Sequence, residues 1–548
     1  MPLAQPHVLS AIPLDRACHR IFNDLSSYPM RLSFPTEQNR MTCRMSSVFR
    51  VVPCLAACIW ISPASYAQDP AFDGLHGFIA EHLKGANVPG AAIVVVKKGE
   101  IVFKGTYGLR NIKEKLPVDE RTVFPVNSVT KSFTALTLAA LVDAGKLEWD
   151  RPVREYMPEF RLLDAAATEL VTARDLLSHR TGIPRYEGLW FGSGFTRADI
   201  LYRLRFLEPS AGFRSVWQYT NLTYVAAGLL GAKVDGGNSW EASVQSRLLD
   251  PLKMKATSFT VAEARKTGNF SLPYATGPNG MQEVPYHNFD SVAPAGAINS
   301  NVEDMAQFLT FVVNGGKFGS RAIVSEKQMN QLTSAQIVVP FEPDYPLGGQ
   351  LCYGLGWFVG TYRAHKLVYH PGTSGGFTSL VAFLPSERIG VVILTNKGGA
   401  STLNTISQNV WDRALGVPVT DWAVNRLRSK ASAPDATLST PAPPPAESPS
   451  SPSHKLTDYV GVYEHPGFGT IEVGGGDAGL TAAFNNTTVK LKHGNYDVFV
   501  GIKEVGNFMS DQSLQFRLDV KGRIDALLWD VESNVPRAVF VRHSERAR

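Results

Sequence analysis

The stretch SVTKSFTALTLAALVDAG, residues 128–145, carries the pattern from which the rest of the chain is read. Val129, Phe133, Leu136 and Ala140 recur at helical spacing on one face, and Leu138, Leu141 and Val142 cover another, so a helix is expected that is buried nearly all round and stops at Gly145. Lys131 has no packing reason to lie on such a helix. At i, i+3 its amine sits beside the Ser128 hydroxyl. Burial lowers a lysine's proton affinity, and a helix N-terminus favours negative charge developing on a serine. Together these describe an activated nucleophile. The same four residues also read as a plain Ser N-cap with Lys131 reaching out to water, and the stretch alone leaves both readings open.

Outward from this helix the hydrophobic period changes. Phe72, Leu75, Ile79 and Leu83 predict a helix, followed by a hairpin of residues 91–96 and 101–107 turning at Lys97-Lys98-Gly99-Glu100. Late in the chain, residues 367–369, 377–384 and 390–395 read as strands, with a turn at Pro385-Ser386-Glu387-Arg388 and a helix near 403–415. The two ends are expected to assemble one antiparallel sheet flanked by helices, while residues 128–330, mostly helical, form a second lobe: an α/β (α+β) architecture. Residues 431–454 are proline-rich and read as a linker. Residues 455–548 alternate short β-rich runs with turns, among them Asn485-Asn486 and Lys521-Gly522, and predict a small separate β-barrel domain. The expected division is a leader and signal peptide over 1–67, a catalytic domain over 68–430, the linker, and the β domain.

Two further motifs give the serine and lysine a context. Tyr219-Thr220-Asn221 precedes an apolar helix, and His370-Pro371-Gly372 follows the strand 367–369 and leads into Thr373-Ser374-Gly375-Gly376. S-x-x-K, then Y-x-N, then [K/H]-x-G on a sheet edge resembles the penicillin-recognising serine hydrolases, most of all the class C β-lactamases, D-aminopeptidases and related esterases. The resemblance spans about 70–416, supported by Leu176-Leu177-Ser178-His179-Arg180-Thr181-Gly182, Pro251-Leu252-Lys253-Met254 and residues 295–300 before Asp304-Met305. It implies a β-lactamase/transpeptidase-like fold in which Ser128 attacks a carbonyl, Lys131 carries the proton relay and Tyr219 serves as a phenolate-type base. Asn221 would orient the substrate amide, and the N–H groups of Ser128 and Thr373 would form the oxyanion hole. Gly372 would let substrate backbone come close.

His370 stands where many β-lactamases have lysine. A histidine is mostly neutral at pH 7, so it would hold a drug carboxylate weakly and could instead exchange protons with Tyr219. The expected activity is therefore serine hydrolysis of a D-amino-acid peptide, amide or ester, with β-lactams less favoured. The alternative is a penicillin-binding receptor, or a non-catalytic binding protein, on the same scaffold.

Other motifs in the chain compete with these. Gly372-Thr373-Ser374-Gly375-Gly376 fits a G-x-S-x-G elbow, but that elbow needs a following helix, and residues 377–383 read as a strand. His179, a base for such a triad, is expected instead to pin a turn. Residues 474–479 fit G-x-G-x-x-G within β flanks and read as a hairpin. Trp190, Phe191 and Phe195 among glycines read as an aromatic lid or as loop packing. Nothing resembles HExxH or paired CxxC, so neither a metal nor a cofactor is implied.

Composition bounds the rest. The chain has 548 residues, 44% apolar and 19% charged, which excludes a wholly disordered chain. The first 67 residues hold six arginines and three acids, so the net charge of +5 falls to +2 beyond them. Such a surface selects neither nucleic acid nor anionic lipid. The expected partner is a small-molecule or peptide substrate. Four of the five cysteines, Cys18, Cys43, Cys54 and Cys58, precede residue 68, leaving Cys352 beyond it. Arg44 and Arg50 flank the apolar run 51–61, which ends in Ser65-Tyr66-Ala67 before Gln68, the pattern of a secretory signal too short to span a bilayer. Periplasmic or secreted export is expected. A rival reading takes Leu55-Ala56-Ala57-Cys58 as a lipoprotein signal that anchors the chain to a membrane through Cys58.

Overall fold

Strand β1, Gly90–Lys97, is buried along almost its whole length, and its side chains sort by parity. Ala92, Val94 and Val96 join one apolar core, and Ala91, Ile93 and Val95 join the other. A strand that is apolar on both faces belongs in the middle of a covered sheet. Each fully buried valine or isoleucine contributes about 1.5–3 kcal/mol. The computed structural model describes residues 69–340, 349–422, 450–476, 478–503, 509–532 and 534–543. The signal-like run, Cys58 and the linker up to residue 449 lie outside the described residues.

The other strands of this sheet are β2 (Glu100–Asn111), β3 (Leu116–Pro117), β4 (Ile337–Val338), β5 (Cys352–Tyr353), β6 (Phe358–Tyr362), β7 (His365–Ser374), β8 (Phe377–Leu384) and β9 (Ile389–Thr395). They form a nine-stranded sheet in the order β4-β5-β6-β7-β8-β9-β1-β2-β3, so the early hairpin and the late meander meet where β1 pairs β9 antiparallel. One face is covered by helix α1, Leu75–Gly85, which buries Leu75, Ile79 and Leu83. Helix Ala400–Ala414 covers the same face with Leu403, Ile406, Val410 and Trp411.

Helix α2, Thr130–Asp143, lies on the other side, entered through a single 3-10 turn, Asn127–Val129. It is buried on all sides as the sequence predicts. Helix α3, Leu222–Val234, packs on it closely: a Cβ added at Gly231 would come within 2.9 Å of Leu138 Cδ1. One expectation needs correction. Residues 128–330 do not all belong to the second lobe, because helix α4, Val302–Val313, packs against β1 and β9 and covers the sheet. Its apolar stripe, including Met305, Phe308, Leu309 and Val312, faces the sheet as an amphipathic helix requires.

The C-terminal region forms a closed antiparallel barrel of eight strands, from Gly461–His465 to Ala538–Arg542. Inward alternation fills it with Tyr463, Ile471, Phe484, Phe516, Trp529 and Phe540. The turn at Asn485-Asn486 joins Gly479–Phe484 to Thr487–His493, with Asn485 at φ 53°. Gly474–Gly476 and Gly479 lie in another pair of adjoining barrel strands.

Candidate active site

Ser128 occupies the 3-10 turn just ahead of α2, and Lys131 lies one turn on, fully buried. The lysine does not snorkel to solvent. Its Nζ is 3.2 Å from Ser128 Oγ, 2.7 Å from Asn221 Oδ1 and 2.9 Å from the Ala295 carbonyl oxygen. Burial holds its proton affinity well below the usual lysine range, and the nearby Arg185 charge adds to that. A neutral amine donates to Asn221 and Ala295 and keeps its lone pair for the Ser128 proton. Those three distances suit that arrangement.

Tyr219 and Asn221 are delivered by the turn before α3. Lys131 Nζ lies 4.7 Å from the Tyr219 ring centroid. Burial pushes Tyr219 up to about 12, only partly opposed by Ser128 and Arg185. The phenolate expected at 219 is therefore disfavoured by burial, and the same burial lowers the proton affinity of the Lys131 amine that would hold it. His179 pins this turn, as its motif suggests: Nδ1 accepts from Thr220 N–H at 3.2 Å, and its own carbonyl accepts from Gln218 N–H at 2.7 Å. The His179 loop is in turn held by the buried Asp175, which pairs with Arg180 at 2.6 Å and Arg214 at 2.7 Å.

His370, Gly372 and Thr373 lie on β7. That strand is interior, not at the sheet edge, but its pairing with β6 stops at Tyr369, so residues 370–374 run on past that neighbour. The structure buries His370 instead of presenting it to substrate. Nε2 is 2.9 Å from the Tyr353 hydroxyl, and Nδ1 is 2.7 Å from the Pro371 carbonyl oxygen. With both nitrogens occupied, neither a substrate carboxylate nor Tyr219 has one to use; the Tyr219 ring centroid is 6.4 Å away. Burial, helped by Lys131, lowers His370 to about 3.

Gly372 is needed for a different neighbour from the one expected. A Cβ there would fall 2.2 Å from the Val126 carbonyl oxygen and 3.0 Å from Asn127 Cβ, so the close approach is of β7 to the nucleophile's own turn. Ser379 Oγ, from β8, holds the same Val126 carbonyl at 2.7 Å. Thr373 is exposed one residue further on. Ser374 is followed by the strand Phe377–Leu384 and not by a helix, so the elbow geometry is not formed.

Several pocket residues went unnoticed in the sequence. The Arg185 guanidinium lies 5.2 Å above the Tyr219 ring and is paired with Glu187. Tyr353 tethers His370, and His287 Nδ1 accepts from Gly375 N–H at 3.4 Å. A proline before Arg185 and a glycine beside Tyr353 signal turns, but nothing in their spacing ties them to residue 128.

The sheet, the helical lobe and the Ser128–Lys131 pair together have the form of a serine hydrolase of the penicillin-binding and β-lactamase type. The chain belongs to the Beta-lactamase family, whose model matches residues 75–414. Residues 445–541 match a domain of unknown function, DUF3471. The unguisins hydrolase ungD' of Aspergillus campestris is 28% identical over 445 residues, covering 74% of this chain and 78% of that protein. Protein flp of Staphylococcus aureus strain MW2 is 25% identical over 323 residues, covering 58% of this chain and 62% of its own. In fold, the chain resembles the octameric penicillin-binding protein homologue from Pyrococcus abyssi, with TM-score 0.58, 24% identity, and 85% and 99% of the two chains covered. Among the described residues no helix is long and apolar enough to cross a membrane.

Proposed function

We propose that the protein is an exported serine hydrolase that cleaves amide or ester acyl groups through an acyl-enzyme on Ser128, most readily D-amino-acid peptides, amides or esters. The observation that carries this reading is the 3.2 Å approach of a buried Lys131 amine, its proton affinity lowered, to the Ser128 hydroxyl. Lys131 takes the Ser128 proton as Oγ bonds to the substrate carbonyl carbon. The oxyanion rests on the N–H groups of Ser128 and Thr373; one such donor is typically worth about 10²- to 10³-fold in turnover. The Tyr219 phenol, still protonated at neutral pH, gives its proton to the departing nitrogen or oxygen as that bond breaks. The Lys131 ammonium then returns the proton it took to the Tyr219 phenolate, which resets both groups for the second half of the reaction. Water then repeats the attack on the acyl carbon and restores Ser128, while Asn221 orients Lys131 and the substrate amide.

The neutral, tethered His370 supports a substrate with no carboxylate at that position, and Arg185 is already paired with Glu187. The test compares nitrocefin, a p-nitrophenyl ester and a D-alanyl amide on one sample. The ester and amide should be turned over faster, and a strong preference for nitrocefin contradicts the reading. Export rests on the apolar run 51–61 and Ser65-Tyr66-Ala67. It predicts a mature N-terminus at Gln68 in the periplasm or medium; a lipid on Cys58, or an uncleaved cytoplasmic chain, contradicts that.

A further inference from the structure

The loop of residues 184–196 touches the catalytic pocket on one side and the barrel on the other. On the pocket side, Arg185 lies over Tyr219. Trp190 stacks on Phe289 at 5.5 Å, and Phe191 meets His287 edge-on at 5.1 Å, where His287 receives Gly375 N–H beside the Thr373 strand. The loop thus rims the space from the general acid to the oxyanion strand. It is packed and not free: Leu189 and Trp190 are buried.

What holds its outer side is the barrel. Asn485, at the tip of the hairpin between Gly479–Phe484 and Thr487–His493, donates through Nδ2 to the carbonyl oxygens of Gly188 at 3.0 Å and Phe191 at 3.1 Å. The neighbouring Asn486 N–H donates to the Gly192 carbonyl at 3.1 Å. At the two ends of the loop, Glu532 accepts from Tyr186 N–H at 2.8 Å, and Phe195 packs beneath Arg203, which reaches the Pro466 carbonyl at 2.9 Å. Asn485 is suited to its place because asparagine tolerates the left-handed backbone that the hairpin tip adopts. One primary amide here satisfies two carbonyls on consecutive turns of a loop with little regular structure of its own.

We propose that Asn485 is a positioning residue through which the C-terminal barrel clamps the 184–196 loop and so sets which acyl groups the Ser128 pocket admits. The specificity part of this rests on Ser128 being the nucleophile; the clamp itself does not. The barrel then has a definite task, holding Phe191 and Arg185 where a large acyl group would meet them, while a small one passes beneath.

The test uses the full chain with Asn485→Asp, which keeps the shape and the hairpin backbone but removes both donors. Asn485→Gly is the second variant, which keeps the left-handed turn. Three readouts are taken: KM and kcat for a bulky aryl-acyl p-nitrophenyl ester, kcat/KM for p-nitrophenyl acetate, and amide hydrogen exchange across residues 186–196. Losing two hydrogen bonds is expected to raise KM for the bulky ester about tenfold with kcat little changed, to leave the acetate within about twofold, and to quicken exchange in the loop alone. Unchanged KM and exchange in a folded variant overturns the proposal, and so does an equal loss on both esters. Labelling of Ser128 by a small fluorophosphonate is followed in parallel. If the unaltered protein fails to label there, the specificity claim falls with the nucleophile, and loop exchange still decides the clamp.

Discussion

The catalytic pocket, set between the sheet and the helical lobe, and the closed barrel are both crowded with aromatic rings, yet they use burial oppositely. Inside the barrel, Tyr463, Phe484, Phe516, Trp529 and Phe540 fill the space, while pairs such as Arg517–Asp525 and Arg523–Asp519 stay at the surface. In the pocket, Lys131, His179 and His370 are buried among the rings of Tyr219, Tyr224 and Tyr353 and are driven towards their neutral forms. Burial that only stabilises one region shifts proton affinities in the other, as the proposed base at Lys131 requires. The barrel reaches the chemistry through the rim of its hairpins.

Substitutions can break this contrast. Ser128→Ala should lower hydrolysis by about 10⁴- to 10⁶-fold with the melting temperature unmoved, since the side chain is a reactant and not a packing element. A residual rate near wild type would shift the nucleophile elsewhere. Lys131→Met keeps the apolar stem and removes the base; turnover should fall about 10²- to 10⁴-fold, while stability falls only by about 1–3 kcal/mol, because Asn221 Oδ1 and the Ala295 carbonyl lose their buried donor. Trp529→Ala should do the reverse. Emptying the barrel core costs about 3–5 kcal/mol, read by urea unfolding, with the pH dependence of turnover unchanged in the folded fraction.

Finer effects sharpen the same contrast. Asp175→Ala leaves two guanidinium groups without their buried partner and should cost about 3 kcal/mol, with an added loss of turnover because His179 and Tyr219 shift together. Per unit of pH, the smallest effect comes from His370. His370 binds its proton near 3 when folded and near 6.5 when unfolded, so stability is full above 6.5 and declines as pH falls towards 3. The slope from this one group is at most about 1.4 kcal/mol per pH unit, and His370→Gln should remove it. For the same reason kcat/KM should show no inflection at 6.5, and a fall on the alkaline side only as pH approaches about 12, where Tyr219 loses its proton.

Much of this was legible in the sequence where the signal is local. Ser128 and Lys131 are one helical turn apart, so their meeting follows from periodicity, and the full burial of α2 follows from its apolar faces. The 91–96 and 377–395 runs gave their strands because β-branched residues fill both faces. Tyr219 and His370 could be placed only through the family resemblance, since nothing local joins them to residue 128. What escaped depends on long-range packing. His370 is turned inward by Tyr353, Gly372 is required by the chain's own Val126, and α4 is drawn to the sheet by an apolar stripe that would equally suit a lobe. Arg185 is over Tyr219 because of a loop whose anchor lies in the barrel, about 300 positions along the chain.

The central claim is that a neutral, buried Lys131 activates Ser128, and the rate of covalent labelling by an uncharged fluorophosphonate, followed by intact mass and peptide mapping across pH, tests it most directly. The account predicts a single adduct on Ser128 that forms readily at pH 7 and is lost in Ser128→Ala and Lys131→Met. An adduct elsewhere, or a rate that climbs only as pH nears the ordinary lysine value of 10.5, would contradict it.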